Sequence, residues 1–142
     1  MARTTFSGPV KSDNGFEGAV TGNVTGNVTG NVTGTLIGNQ TIPVATVAAA
    51  GTNQGTAAAL SLGFNYVTGA DDAKGVKLPT AVAGSIVIIK VGPGADLLVY
   101  PNTSDKINDG SANAAITVVD DVCFMLIAKD ATDWYTLPLL PS

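Results

Sequence analysis

Residues 84–101 read GSIVIIKVGPGADLLVYP, and this stretch indicates what kind of fold the chain adopts. The run from Ile86 to Val91 is apolar apart from one lysine, and such continuous apolar character predicts a strand that is buried on both faces. The GPGAD sequence that follows is typical of a turn, and LLVYP then predicts a second strand. The stretch therefore predicts β structure with tight connections.

Short β-rich runs separated by turn residues extend this pattern from residue 60 to the end of the chain. No stretch of eleven residues shows the 3.6-residue apolar period of a helix, so the sequence predicts an all-β fold. We expect a compact β-sandwich or jelly-roll-like domain over residues 60–142, with a tight hairpin at Asp120 and Asp121. The apolar residues expected to fill its core are Ile86, Val87, Ile88, Ile89, Leu97, Leu98, Val99, Ile116, Val118, Phe124, Leu126 and Ile127.

A second pattern occupies residues 18–41, GAVTGNVTGNVTGNVTGTLIGNQT, in which a glycine occurs at every fourth position. Because an even period keeps each residue type on one face of a strand, valines and glycines share one side, and asparagines and threonines share the other. Fully extended, this segment would reach about 80 Å, whereas an ordinary strand spans about 17–20 Å. It therefore cannot be one strand of a small sheet.

Two interpretations of this repeat remain open. In the first, residues 18–43 form β structure between subunits, with glycines allowing close backbone approach and valines filling the space between chains. In the second, the segment is a flexible tether, since glycine, asparagine and threonine also suit disorder. The regular spacing of the valines favours the first interpretation, with residues 44–59 as a linker to the sandwich. The expected trimer-interface residues are Val20, Val24, Val28, Val32 and Leu36.

Composition excludes several classes of function. Seven basic against eleven acidic residues give a net charge of -4 without a basic cluster, which argues against a nucleic-acid partner. The sequence shows no apolar secretion signal, and its apolar runs are far shorter than the roughly 20 residues that span a bilayer, so we expect a cytosolic protein with no membrane partner. Cys123 cannot form an internal disulfide as the single cysteine, and its apolar surroundings predict a buried side chain.

Catalytic, metal and cofactor sites are not predicted. The chain has no histidine, so any enzyme would depend on carboxylates, such as the pair Asp71 and Asp72. The paired aspartates lie where turns are expected, and we interpret them as turn-capping residues. Trp134 and Tyr135, beside Tyr100, could form an aromatic platform for a sugar, but a single tryptophan more often packs in a core or interface.

Two further stretches carry a family resemblance. TTFSGPVKSDNGF, residues 4–16, resembles the opening of capsid decoration (cement) proteins of tailed bacteriophages. Residues 66–138 are similar to a β module of phage virion and tail-fibre proteins, with its Gly-x-x-Leu-Pro, Leu-x-Val-Tyr-Pro and Ile-Asn motifs and a closing tryptophan. Gly75, Leu97, Ile107 and Trp134 mark these four features in this chain.

The resemblance implies a homotrimer on the outer surface of the capsid, assembled in the host cytoplasm, in which an N-terminal arm of residues 1–17 binds the major capsid protein. On this basis the expected capsid contacts are Phe6, Pro9, Val10 and Phe16. The expected function is structural: the protein binds the assembled shell and stabilises it, without enzymatic activity or cofactor. The alternative is a tail-fibre or receptor-binding module whose β domain binds host surface glycans.

Overall fold

A computed structural model describes residues 41–140 of the chain. These residues form ten strands and no helix, which confirms the all-β prediction. The strands are β1 Val44–Ala48, β2 Ala58–Ala59, β3 Gly63–Thr68, β4 Gly75–Lys77, β5 Ile86–Val91, β6 Leu97–Tyr100, β7 Lys106–Ile107, β8 Ile116–Val118, β9 Cys123–Ala128 and β10 Asp133–Leu137.

The strands belong to two sheets. Six of them form one sheet in the order β1-β3-β5-β9-β10-β7, here called the large sheet, and four form the small sheet in the order β2-β4-β6-β8. From β1 to β6 the chain alternates between the two sheets, and each of the strands β1 to β4 pairs in parallel with the strand two positions later. Phe64 lies opposite Ile88 in the large sheet, and Val76 lies opposite Val99 in the small one.

This alternation makes the arrangement β-solenoid-like, and the expectation of a sandwich or jelly roll is wrong. A sandwich is built from antiparallel strands, whereas here the chain coils from one sheet to the other and stacks each turn of the coil on the preceding one. Composition and strand length are similar in the two architectures, because both bury alternate residues between two sheets. Strand direction depends on where each connection leads, which the single-strand pattern does not record.

Antiparallel strands close the coil at its C-terminal end. β8 pairs with β6, β9 with β5, and β10 with β9 in antiparallel register. The predicted hairpin at Asp120 and Asp121 is therefore wrong, since this turn carries the chain from β8 in the small sheet to β9 in the large one. Asp121 has a φ of 57°, a left-handed conformation that aspartate tolerates in turns.

Residues 44–59, expected to be a linker, instead contribute β1 to the large sheet and β2 to the small sheet. Val44 and Val47 suit a strand because their branched side chains pack well on a pleated surface. Ala49 and Ala57, 6% and 8% exposed, lie buried near the ends of these strands. The alanines of this segment thus supply small side chains for buried positions.

The core lies between the two sheets and is built from alternate strand positions. Val87, Ile89 and Val91 of β5 are fully buried, while Ile86 of the same strand is 43% exposed. The prediction that β5 is buried on both faces is therefore wrong, and only its inward face contributes to the core. The same alternation removes Ile88, Leu98 and Ile127 from the expected core.

Two glycines allow close contacts that hold the coil together. Gly63, at the start of β3, has a φ of 96°, and a Cβ there would lie 2.4 Å from the carbonyl oxygen of Pro43. At Gly75 a Cβ would lie 2.7 Å from the Tyr100 ring and 2.8 Å from the carbonyl oxygen of Leu98. The Gly-x-x-Leu-Pro motif therefore begins at the point where β4 lies close to its paired neighbour β6 in the small sheet.

Candidate functional site

The predicted contact residues lie outside the described part of the chain. This applies to the whole predicted arm and to the interface positions of the repeat. The residues are Phe6, Pro9, Val10, Phe16, Val20, Val24, Val28, Val32 and Leu36. Their roles stay predictions, and the structure bears only on candidate sites within residues 41–140.

The outward face of the large sheet carries a continuous row of apolar side chains. Val44 lies opposite Phe64, Phe64 opposite Ile88, Ile88 opposite Met125, and Met125 opposite Leu137. Cross-strand neighbours of this kind are in contact on one face of a sheet. The row therefore crosses five strands, β1, β3, β5, β9 and β10, without a polar side chain.

A second row lies one pleat further along the same face. Ile86 is opposite Ile127, and Ile127 is opposite Tyr135, so three more large side chains extend the surface. Ile42 and Leu62, which precede β1 and β3, are 52% and 46% exposed at the same end of the sheet. We call the eight strand residues of the two rows the apolar face: Val44, Phe64, Ile86, Ile88, Met125, Ile127, Tyr135 and Leu137.

Ion pairs border the apolar face at both ends of its strands. At one end, Lys90 of β5 pairs with Asp121. At the other end, Asp133 lies opposite Lys106, with 3.6 Å between its carboxylate and the Lys106 ammonium, and it also lies 3.5 Å from Lys129. An apolar patch with a charged rim is the usual appearance of a surface that binds another protein.

Cys123 lies on this same outward side, opposite Lys90, and it is exposed. The prediction of a buried cysteine is therefore wrong. The strand β9 alternates its side chains, so Phe124 and Leu126 point into the core, and Cys123 and Met125 point away from it. The continuous apolar run around Cys123 reflects a strand that is apolar on both faces rather than one that is buried on both.

The aromatic platform considered as an alternative for Trp134, Tyr135 and Tyr100 is not assembled. Trp134 is fully buried in the core, whereas Tyr135 points to the opposite side of β10. The Tyr135 hydroxyl donates to Asp109 at 2.5 Å, and this hydrogen bond raises the pKa of Tyr135. The Tyr100 hydroxyl donates to the carbonyl oxygen of Thr52 at 3.2 Å. Trp134 therefore packs in the core, as a single tryptophan usually does, and cannot stack on a sugar.

A buried carboxyl lies next to this tryptophan. Asp105 is 4% exposed, and burial raises its pKa, while the N–H groups of Ala81 and the Trp134 indole act in the opposite direction. Among the described residues, neither Asp105 Oδ2 nor Trp134 Nε1 has a hydrogen-bond partner with favourable distance and angle, so the indole N–H lies near the carboxyl without forming a well-aligned hydrogen bond. The negative charges of Asp133 and Asp130 also raise the pKa of Asp105.

The paired aspartates cap turns, as predicted. Asp71 accepts hydrogen bonds from the N–H groups of Ala73 and Lys74, and the Lys74 side chain lowers the pKa of Asp71. Asp130 accepts from the N–H groups of Thr132 and Asp133, and the Thr132 bond lowers the pKa of Asp130. Over residues 41–140, no group of three or more acidic or cysteine side chains is arranged to hold a metal ion.

A surface pocket of about 270 Å³ lies beside the loop between β7 and β8. Its lining consists of Ile107, Gly110, Ser111, Ala114, Ala115 and Ile116. These side chains include no titratable group, and the only hydroxyl belongs to Ser111. Ligand sites combine apolar walls with several convergent polar groups, which this pocket lacks, so the apolar face is the stronger candidate for function.

No protein-family model, curated protein or solved structure matches this chain. Within the described range, no helix is available that could cross a membrane. The geometry of residues 41–140 and the resemblance in residues 4–16 and 66–138 are therefore what bears on function.

Proposed function

We propose that this chain is a structural virion protein that binds the outside of a bacteriophage capsid and stabilises the shell. The observation that carries the proposal is the apolar face, because an outward-facing apolar surface with a charged rim is typical of a surface that binds another protein. Val44, Ile86 and Leu137 of this face are exposed, and its other residues are half-buried. The resemblance of residues 4–16 and 66–138 to phage decoration and virion proteins supplies the kind of assembly.

The sheet edges support an assembly role as well. β1 lies at the edge of the large sheet and β2 at the edge of the small sheet, so one side of each backbone is not paired within the two sheets. Val44 and Thr46 of β1 are exposed beside this edge. An open edge can accept a strand from a neighbouring protein through main-chain hydrogen bonds.

In the proposed mechanism, residues 1–17 bind the major capsid protein and residues 18–43 join three chains into a homotrimer. A protein that binds only the assembled shell stabilises it by mass action. Three arms on one trimer also raise the effective concentration of each, so weak individual contacts give strong attachment.

The direct test is co-sedimentation with heads assembled from the major capsid protein of the same genome. We expect the full chain to pellet with expanded heads and to raise the temperature at which they disassemble. A Phe6→Ser, Phe16→Ser variant should pellet less, and a Val82→Ser variant, altered at an exposed valine of the β domain, should match the wild type. Equal recovery of the wild type with and without heads would contradict the proposal.

The trimer has its own test. Replacing Val24, Val28 and Val32 together by serine removes the apolar side of the repeat, so sedimentation equilibrium should then give a smaller mass than for the wild type. An unchanged mass would show that these valines are not the interface. Neither result depends on whether a capsid is the partner.

A further inference from the structure

We infer that the open edge of β1 is covered by the glycine repeat, residues 18–40, of a neighbouring copy of this chain. The inference rests on the trimer proposed above, in which residues 18–43 join three chains, and not on the capsid as partner. It names the surface that receives the repeat, which is the backbone of three residues of β1. We call them the edge residues: Val44, Thr46 and Ala48.

The backbone of β1 is paired on one side only. At its start, the N–H of Phe64 donates to the carbonyl oxygen of Pro43 at 2.9 Å. Just after its end, the N–H of Ala49 donates to the carbonyl oxygen of Thr68 at 2.7 Å. Peptide groups alternate in direction along a strand, so the odd-numbered residues face β3, and the N–H and C=O groups of the edge residues face away from it. Among residues 41–140, no strand pairs with this second side of β1.

The two edges of the large sheet are protected to different degrees. β7 forms one edge with only two residues, one of which is Lys106, and both its shortness and its charge hinder pairing with another strand. β1 forms the other edge with five residues and has neither a charge nor a proline. Because soluble proteins seldom leave a long uncharged edge strand open, this contrast indicates that β1 has a partner strand in the assembled protein.

The repeat matches this edge in polarity. No aspartate, glutamate, lysine or arginine occurs from residue 18 to residue 70, a range that holds both the repeat and the strands β1 to β3. Large apolar side chains are exposed at this end of the sheet, namely Ile42, Val44 and Leu62. An uncharged strand can pair here without removing a charge from water, whereas a charged strand cannot.

The path of the chain selects the repeat of another copy. Residue 43 is the last of the segment that joins three chains in the proposed trimer, and Val44 follows it directly. Because consecutive Cα atoms are only about 3.8 Å apart, the start of β1 lies beside the place where the three repeats meet. A repeat that pairs with its own β1 must first reverse direction, since it continues into that strand. The repeat of a neighbouring chain needs only a shift along the common axis.

The repeat is also long enough for both contacts. Fully extended, it reaches about 80 Å, whereas the five residues of β1 span about 17 Å. One part of the repeat can therefore pack against the other two repeats while another part pairs with the edge residues.

Hydrogen exchange on the full chain tests whether the edge is covered. The amides of Ala45 and Val47 face β3 and are the internal reference for a paired strand. At concentrations where the chain is assembled, we expect the amides of the edge residues to exchange at rates similar to this reference. An open edge would instead give rapid exchange at the edge residues and slow exchange at Ala45 and Val47.

A mixed sample identifies the chain that covers the edge. Deuterated and protonated chains are unfolded together and refolded in ordinary water, so that every amide carries a proton. We expect nuclear Overhauser effects from the edge amides of deuterated chains to side-chain protons of the repeat, because these protons belong to another copy. A sample of deuterated chains alone is the control and should give none.

Two variants of Thr46 test the same contact by mass. Thr46→Pro removes an outward N–H but no hydrogen bond to β3, and proline is tolerated at such an edge position. Thr46→Val is the matched control, because it keeps the N–H and a branched side chain. In sedimentation equilibrium, the trimer of the proline variant should dissociate at a concentration about tenfold higher than that of the wild type, and the valine variant should match the wild type.

Three results would overturn the inference and leave the trimer in place. One is a trimeric wild type whose Thr46 amide exchanges rapidly. Another is slow exchange at the edge without contacts between copies, which would mean that the edge is covered within one chain. The third is slow exchange that appears only after phage heads are added, which would assign the edge to the capsid protein. A wild type at the mass of one chain would overturn the proposed trimer as well, while the co-sedimentation test of capsid binding would still apply.

Discussion

Asp72 and Asp96 lie 24 residues apart in the sequence and occupy equivalent turns of the coil. The backbone N–H of Asp96 donates to Asp72 Oδ1 at 2.9 Å, and the N–H of Asp72 donates to the carbonyl oxygen of Asp96 at 3.2 Å. The same spacing recurs once more, since the N–H of Asp120 donates to Asp96 Oδ1 at 3.3 Å. Asp72 and Asp96 thus connect two equivalent turns, and Asp120 joins them from the turn between β8 and β9. The Asp72 and Asp96 carboxylates satisfy backbone donors that no strand pairs.

Replacing Asp96 by alanine should destabilise the fold by about 1 kcal/mol, because the N–H of Asp120 loses its acceptor at a partly solvated turn. Asp96→Asn keeps the oxygen that accepts this hydrogen bond and should cost less. Urea denaturation of both variants measures the difference. If Asp96→Asn were as unstable as Asp96→Ala, the charge rather than the hydrogen bond would be the stabilising element.

The spacing of these aspartates is a signal for the coil within the sequence itself. β3 and β5 pair with the same offset of 24 residues, as Gly63 lies opposite Val87. A search for internal periods of 20 to 50 residues would have found Asp72, Asp96 and Asp120. The positions of most strands could be predicted because alternation and turn residues are local signals, whereas strand direction required this longer period.

Less of the candidate site than of the fold could be predicted from the sequence. A continuous apolar run such as Ile86–Val91 has two explanations: burial on both faces, or one face in the core and one available to a partner. The sequence of a single strand does not separate them. The alternation of buried and exposed residues in β5 and β9 does, because it shows Ile88 and Met125 on the outward side.

Gly75→Ala should destabilise the fold by about 1–3 kcal/mol, the usual cost of overpacking. The added Cβ would lie 2.8 Å from the carbonyl oxygen of Leu98, which is fixed because Gly75 and Leu98 pair in the small sheet. Gly55→Ala is the control, since the nearest atom there is the side-chain oxygen of Asn53 at 3.4 Å. Equal melting temperatures for the two variants would show that β4 can move away from β6.

Thr136→Val should cost about 2 kcal/mol, because it leaves two buried or partly buried donors without an acceptor. The Thr136 hydroxyl accepts from the amide of Asn108 at 2.8 Å and from the N–H of Leu140 at 2.7 Å. Thr136→Ser keeps the hydroxyl and should be less unstable. In hydrogen exchange, the Leu140 amide should lose protection in the valine variant but not in the serine variant.

Asp105 should make the protein less stable as the pH rises from acid towards neutral. Burial raises the pKa of Asp105 above its ordinary value of 3.8, so the folded state binds more protons than the unfolded state between these two pKa values. The free energy of unfolding therefore falls with increasing pH across this window. Asp105→Asn should remove this contribution and stabilise the protein at neutral pH by about 1 kcal/mol relative to wild type.

Trp134 provides the direct readout of this titration, because it is the only tryptophan, is fully buried and has its indole N–H near the Asp105 carboxyl. The tryptophan emission of the folded protein should change with an apparent pKa above 3.8 in the wild type and stay constant in Asp105→Asn. Asp109→Asn alters an exposed carboxylate that accepts the hydrogen bond of the Tyr135 hydroxyl, and this variant should keep the titration of the tryptophan emission. A titration that persisted in Asp105→Asn would assign it to another group, and the stability of this variant would then keep the pH dependence of the wild type.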